Sequence, residues 1–438
     1  MGQTIFDSTS FGKVDLLSEK MRREQWWGNK FAEFVAPNFV KAVGKDVGVR
    51  NPGDPPAFTG APVEVFENFV ADGQIDMRIP VALRLTGMPV HGDRPLKGNE
   101  EAQAIAWRTI KINRTRKAVS KPTGMSRQIT KRYADSLVTE AAKNLTAWWG
   151  EDYHPGNFIL ATLVGASRDL ISAAIAGGRA ISQMSHPNLL VAGDGLVSYT
   201  AGRPGTAAYE ASVAAAVTGL TDVTSDYFSC SLIRNAVAEA YRLKIKPIVL
   251  KSGTQFHVIF CSDAQILQLR ADSEYKDWIK RMPEDLAKHP FAAAAEIYIG
   301  GALVIPDLKM WGVRATADDA NITADTVEYG PALSAAERSQ GLPTGNWINA
   351  LDTSNKKCAI LMGASALSVG VGERMALKED VEDYENVKGL GVDTIQSVVR
   401  NDIFDEDGKI SGLTAGDFYQ NTSSMVIASY SKHALSYT

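Results

Sequence analysis

Nine basic residues stand between Arg108 and Arg132 with no carboxylate until Asp135: Arg108, Lys111, Arg114, Arg116, Lys117, Lys121, Arg127, Lys131 and Arg132. Such a run does ion-pair chemistry, binding carboxylates or phosphates through charge-assisted hydrogen bonds. The complementary groups lie in the C-terminal third, as Glu379, Asp380, Glu382, Asp383 and Glu385, then Asp402, Asp405, Glu406 and Asp407. Acids at this density form either a solvated surface or the partner of the basic strand on another copy, and both readings stand.

Covalent and metal chemistry have no legible carrier. There is no phosphate loop, no nucleophile elbow and no zinc helix. The six histidines, His91, His154, His186, His257, His289 and His433, show no ligand spacing, and His257 sits in an apolar run as a structural histidine would. Asp405-Glu406-Asp407-Gly408 is similar to the middle of a calcium loop, but Ile403 and Thr414 fall where carboxylate ligands are required. The glycines Gly370 to Gly372 precede no phosphate-facing helix. Cys230, Cys261 and Cys358 form no CxxC pair, so neither a disulfide framework nor a zinc site is expected, and a reducing compartment fits. No catalytic residue, cofactor or metal is therefore expected. Many active sites leave no linear trace, so a cytoplasmic α+β enzyme with its site in the Ala/Gly-rich middle stays open as a rival.

Several elements must position these charges. Ile110 and Ile112 alternate with Lys111 and Asn113, a strand with one buried and one charged face. Pro122-Thr123-Gly124 breaks the chain, and Ser126 caps a helix to about Trp149 with Ile129, Tyr133, Leu137, Ala141 and Leu145 on one stripe. Cations in its first turn oppose the helix dipole and call for an anionic partner. Upstream, Leu16 to Phe34 is a short amphipathic helix carrying Trp26, Trp27, Phe31 and Phe34, either packed on the core or reaching to a neighbour. Val63, Val65, Phe66, Ile75, Met77, Ile79, Val81 and Leu83 form a two-stranded excursion broken at Asp72-Gly73 and Pro80. Gly87, Pro89, Gly92, Pro95 and Gly98 then exclude a packed core, and a ribbon of this kind needs an external surface. Deleting 60–100 is expected to leave the core folded and prevent assembly.

Further on, helices are expected at Asp169 to Ile181, Ala207 to Val217 and Asp226 to Leu243. Strands follow at Ile248 to Leu250 and Phe256 to Phe260, then a helix behind Ser262-Asp263 and another at Tyr275 to Met282. The last third holds strands at Glu296 to Ile299, Lys309 to Arg314, Ala359 to Leu361, Thr394 to Arg400 and Met425 to Ser429. This mixture is an α+β fold.

The chain is 438 residues long and 45% hydrophobic, enough for more than one domain. Its longest apolar runs fall far short of a membrane span, and no basic start precedes one, so neither export nor membrane insertion is expected. A net charge of −4 argues against a dedicated nucleic-acid binder, so charge informs by position.

The segments Leu96-Lys97-Gly98-Asn99-Glu100-Glu101, Thr109-Ile110-Lys111-Ile112-Asn113, Arg116-Lys117-Ala118-Val119, Gly124-Met125-Ser126 and Leu145-Thr146-Ala147-Trp148 resemble a family of tailed-phage major capsid proteins with the Hong Kong 97-type coat fold. The resemblance is specific over about 90–165 and elsewhere follows the order of elements. It implies an N-terminal arm (1–57), an extended loop (58–106) and a peripheral domain (107–190) built on a spine helix (125–149). It further implies an axial domain (191–380), a peripheral return strand (381–411) and an axial C-terminal strand (412–438). Function would then be self-assembly into the icosahedral head that encloses double-stranded DNA, in hexamers and pentamers, with portal, scaffold and decoration proteins as partners. The location would be the virion capsid, assembled in the host cytoplasm. The start at Met1 suggests a separate scaffold. Some relatives crosslink through lysine and asparagine in this loop; Lys97 and Asn99 are present, but no partner acid is legible and crosslinking is not expected. An encapsulin-type compartment shares the fold and is the nearer rival, told apart by the absence of nucleic acid inside its particles.

Overall fold

The run from Phe256 to Cys261 lies in the core. The computed structural model describes residues 31, 34–35, 60–66, 76–82, 90–92, 97, 100, 105–120, 142–165, 167, 186–197, 207–250, 253–278, 282–289, 292, 295–307, 356–382, 387–402 and 422–431. Fourteen described strands are labelled in chain order. They are β1 (Val63–Phe66), β2 (Asp76–Ala82), β3 (Ile105–Lys111), β4 (Arg114–Ser120), β5 (Leu189–Val191), β6 (Gly195–Leu196) and β7 (Ile248–Val249). After them come β8 (Gln255–Cys261), β9 (Ile297–Ile299), β10 (Ala302–Pro306), β11 (Lys356–Met362), β12 (Leu367–Glu382), β13 (Val387–Arg400) and β14 (Ser424–Tyr430). The described helices are α1 (His154–Val164), α2 (Ala207–Gly219), α3 (Cys230–Arg242), α4 (Asp263–Arg270), α5 (Tyr275–Trp278) and α6 (Glu284–Ala287).

An eight-stranded mixed sheet runs β6-β5-β14-β11-β8-β10-β9, with β7 also paired to β8. Phe256, Val258, Ile259, Phe260 and Cys261 are fully buried, because β8 is covered on both faces and a strand so placed reads as a continuous apolar run. Phe31 stacks on Phe260 at 4.2 Å between ring centroids and Phe34 meets the same ring edge-on at 5.6 Å. These two residues of the N-terminal segment are core; Trp26 and Trp27 lie outside the described residues.

Local chemistry places the helices. Ser262 and Gln265 form a capping box at the start of α4, as Ser262-Asp263 leads one to expect. Gln265 also donates to the Ser429 hydroxyl of β14 at 2.9 Å. The expected helix from Asp226 begins later: Thr224–Asp226 is a 3₁₀ turn, and Ser229 caps α3 by accepting from the Leu232 amide. Asp226 is instead taken up by the turn before it, accepting from the Thr221 amide at 2.9 Å and the Ser225 hydroxyl at 2.8 Å.

The second sheet has the order β1-β12-β13-β4. It corrects two expectations. Val63 to Phe66 is no part of the ribbon but pairs in parallel with Leu367 to Gly370 of β12, and the ribbon is β2 with β3. Pro80 lies inside β2 opposite Trp107, which a two-stranded ribbon tolerates because its outer edge needs no donor. The sixteen-residue β12 was not expected at all, since Gly370 and Gly372 interrupt its apolar alternation. A Cβ at Gly372 would meet Ile112 Cδ1 at 2.8 Å and Ile395 Cγ2 at 3.0 Å, so any larger residue there would have to displace the Ile112 side chain. Ile110 and Ile112 are buried with Phe66, Met77 and Val399 in a small cluster there.

The helix expected to end at Trp149 runs further. Residues 142–147 are helical, Trp148–Tyr153 form a π-helical turn, and α1 continues to Val164. Residues 121–141, which include Ser126 and most of the span expected to be helical, lie outside the described residues, as do 169–181 and 309–314.

Candidate functional site

Strand β4 is where the basic run becomes a surface. It pairs antiparallel with β13 from Ser120↔Gly389 to Arg114↔Ile395, and β13 pairs in turn with β12. Alternation then sorts the cations. Lys117 shares a register position with Val392, whose face packs on the helix through Ala142, Leu145, Trp149, Met375, Leu377 and Leu390. Its ammonium lies 3.9 Å from the centroid of the Trp148 ring, a cation–π contact.

Arg114 and Arg116 lie on the opposite face, with Asp393 between them. Asp393 accepts from Arg114 Nε at 2.8 Å and from Arg114 Nη2, and Lys378 Nζ reaches it at 2.7 Å. The carboxylate is 4% exposed whereas the Arg114 and Lys378 side chains are about half exposed. The hydrogen bonds from Arg114, with the Lys378 ammonium second, hold the Asp393 carboxyl well below the usual carboxylate range against its own desolvation. Arg116 is exposed and has no ion pair among the described residues.

A second buried pair closes the other end of β13. Arg400, fully buried, makes two parallel bonds to Asp402, Nε–Oδ1 at 2.6 Å and Nη2–Oδ2 at 2.8 Å. Its Nη1 donates to the carbonyls of Thr162 and Leu163 at 3.0 and 3.3 Å, satisfying the last turn of α1. Asp402, read from the sequence with the acidic surface cluster, is therefore an internal strut. Glu64 is likewise buried and accepts from the Ser365 hydroxyl at 2.6 Å.

The remaining expected residues divide as follows. Lys111 ends β3, half exposed, and Arg108 stands opposite Ile79 in the ribbon. Glu379, Asp380 and Glu382 occupy the last turns of β12 opposite Leu390, Gly389 and Val387, near the tip of the β12–β13 hairpin. Lys121, Arg127, Lys131, Arg132, Asp383, Asp405, Glu406 and Asp407 lie outside the described residues. Asp393, Lys378 and Trp148 were not singled out in the sequence. Asp393 had one signal, an acid inside the apolar run Val392 to Ile395, but its partner Arg114 is 279 residues away.

Among the described residues no His, Cys, Asp or Glu group is arranged to hold a metal ion, and no helix is long and apolar enough to cross a membrane. His257 is fully buried on β8, with Nε2 3.4 Å from the Ile245 carbonyl and its ring against Tyr241. Burial pushes its pKa down to about 4. Among the described residues the arrangement presents exposed cations beside one buried carboxylate.

Comparison with known proteins bears on their role. A family model described as phage capsid protein matches residues 56–411. The fold is similar to a capsid structure of Ralstonia phage GP4, with 17% identity, a TM-score of 0.53, and 89% of this chain and 95% of that one covered. It is similar also to the acidic stable capsid structure of Helicobacter pylori bacteriophage KHP30, at 15% identity and a TM-score of 0.52, covering 89% and 96%. The head structure of Helicobacter pylori bacteriophage KHP40 matches at 16% identity and a TM-score of 0.53, covering 89% and 92%. No curated protein matches the sequence.

Proposed function

This chain belongs to the phage capsid protein family, and from that premise we propose how it builds a shell. It is a structural capsid protein with the α+β coat fold expected from its sequence. Copies associate as hexamers and pentamers into an icosahedral head that encloses double-stranded DNA. The chain performs no catalysis, and assembly takes place in the host cytoplasm with portal and scaffold chains, and decoration proteins where present, as partners. In this reading 1–57 is an arm, the extended loop starts after β1, and the peripheral domain joins β4, the long helix and the β12–β13 hairpin. Residues 191–366, as far as the start of β12, and the C-terminal strand β14 supply the axial domain.

One observation carries the reading. Strands β2 and β3 pair with each other and with no other strand among the described residues, and Met77, Ile110 and Ile112 anchor the ribbon at its base. A two-stranded ribbon is marginal in water on its own, so its outer part requires a surface, and in a closed shell the neighbouring copy supplies it. Deleting 60–100 is no longer a clean test, because it removes β1 with buried Ala61, Val63 and Phe66. Replacing 83–104 with Asn-Gly joins Ala82 to Ile105, the last pair of the ribbon, through a two-residue turn. That variant should keep the wild-type circular-dichroism spectrum and form no closed particles in negative-stain electron microscopy. Normal shells from it would remove the ribbon from assembly, and a wild-type chain that stays monomeric would refute the shell reading itself.

A further inference from the structure

The four-stranded sheet has two unlike edges. At one, the short β1 is bridged in parallel by Val35, pairing with Val63. At the other, all seven residues of β4 pair with β13 on one side and with no strand on the other among the described residues. Residues Arg116, Lys117, Ala118 and Val119 are exposed, and the edge contains no proline. A long, open edge of this kind is a docking surface unless it is guarded.

Its charge says what fits. Arg114 is neutralised at home by Asp393, and Lys117 is held over Trp148, so Arg116 remains as the outward cation of β4. One outward arginine is sparse for a nucleic-acid track, where affinity grows with the number of phosphates neutralised. It suits a local acidic partner. The same sheet offers one: Glu379, Asp380 and Glu382 stand among the last four positions of β12. Within one copy the sheet register holds the Asp380 backbone away from Arg116. Asp380 stands two strands over and four residues further along than the register position of Arg116, roughly 16 Å by strand spacing and rise. That is about twice the ~8 Å screening length at physiological salt.

We propose that the open β4 edge, with Arg116 at its centre, receives the acidic end of β12, Glu379 to Glu382, from a second copy. The contact is heterologous, a strand end meeting a strand edge, so repetition closes rings instead of pairing two copies and stopping. It rests on the shell reading and names the partner of its basic strand.

A charge swap tests it in the full chain. Arg116→Glu alone, and Asp380→Lys with Glu382→Lys, should each lower particle yield about tenfold, and the three changes together should restore it to within about threefold of wild type. Yield is read by sedimentation and electron microscopy at physiological salt, with circular dichroism as the folding control. Arg116→Ala replaces the glutamate variant if that chain misfolds, and should lower yield in the same direction. Failure of the combined variant to recover, while folded, overturns the contact. So do shells of normal yield from Arg116→Glu; if those shells hold less DNA, Arg116 faces nucleic acid instead. A wild-type chain that forms no particles removes the shell reading, and the contact with it.

Discussion

Acid should weaken this protein well above the range where carboxylates titrate, and the cause is buried imidazole. His154, at the start of α1 with Phe158 5.0 Å from its ring, is 1% exposed, and burial lowers its pKa to about 3. His257 on β8 is lowered to about 4, by burial first. His186, bonded to the Ser424 hydroxyl at 3.1 Å and to the Asn188 amide at 3.0 Å, is pushed well down by burial and then by the Arg400 charge. In the unfolded chain each titrates near 6.5. Below that value the unfolded state binds protons that the folded state refuses, so stability is full above pH 6.5 and declines as pH falls toward the folded values. At pH 5, His154 and His257 are still neutral when folded, so the loss depends on the unfolded value alone: about 1.5 pH units at ~1.4 kcal/mol each, roughly 4 kcal/mol for the two. His186 adds to it in the same direction. With an unfolding entropy of about 2.1 cal/mol/K per residue, the whole chain melting together would lower Tm by roughly 4 °C or more between pH 7.5 and pH 5. Differential scanning calorimetry of unassembled subunits measures this directly. His257→Leu should remove about 2 kcal/mol of the pH-dependent loss. A Tm that does not move between the two pH values, or an unchanged pH slope in His257→Leu, refutes the reasoning.

Three further outcomes follow from the packing. Asp402→Asn leaves the Arg400 guanidinium buried without its counter-charge, and should cost about 3–5 kcal/mol in chemical denaturation. Gly363→Ala places a Cβ 2.4 Å from the Lys246 carbonyl oxygen and 2.8 Å from Ile245 Cγ2, both immobile, so the variant should be recovered mostly as insoluble protein. Lys117→Ala removes the contact over Trp148 and should shift stability by about 0.5–1 kcal/mol, with tryptophan fluorescence reporting the loss of the cation.

Sequence alone determined what depends on near neighbours. The capping box at Ser262, the apolar run of β8, the alternation that buries Ile110 and Ile112 and the concentration of charge between Arg108 and Lys117 are set within a few residues and could be read there. Tertiary structure decided what depends on distant segments. Nothing near Val63 says that it pairs with Leu367, and nothing near Gly372 says that Ile112 presses against it. The site shows the same division. The sequence located the cations, but only the sheet puts Asp393 and Trp148 beside Arg114 and Lys117, and so leaves Arg116 facing outward. Asp402 read as one acid among many until the fold buried its near neighbour Arg400 against the end of α1. Periodicity records which side of an element is buried; what it is buried against depends on chain-distant pairing, and a strand carries no local mark of its partner.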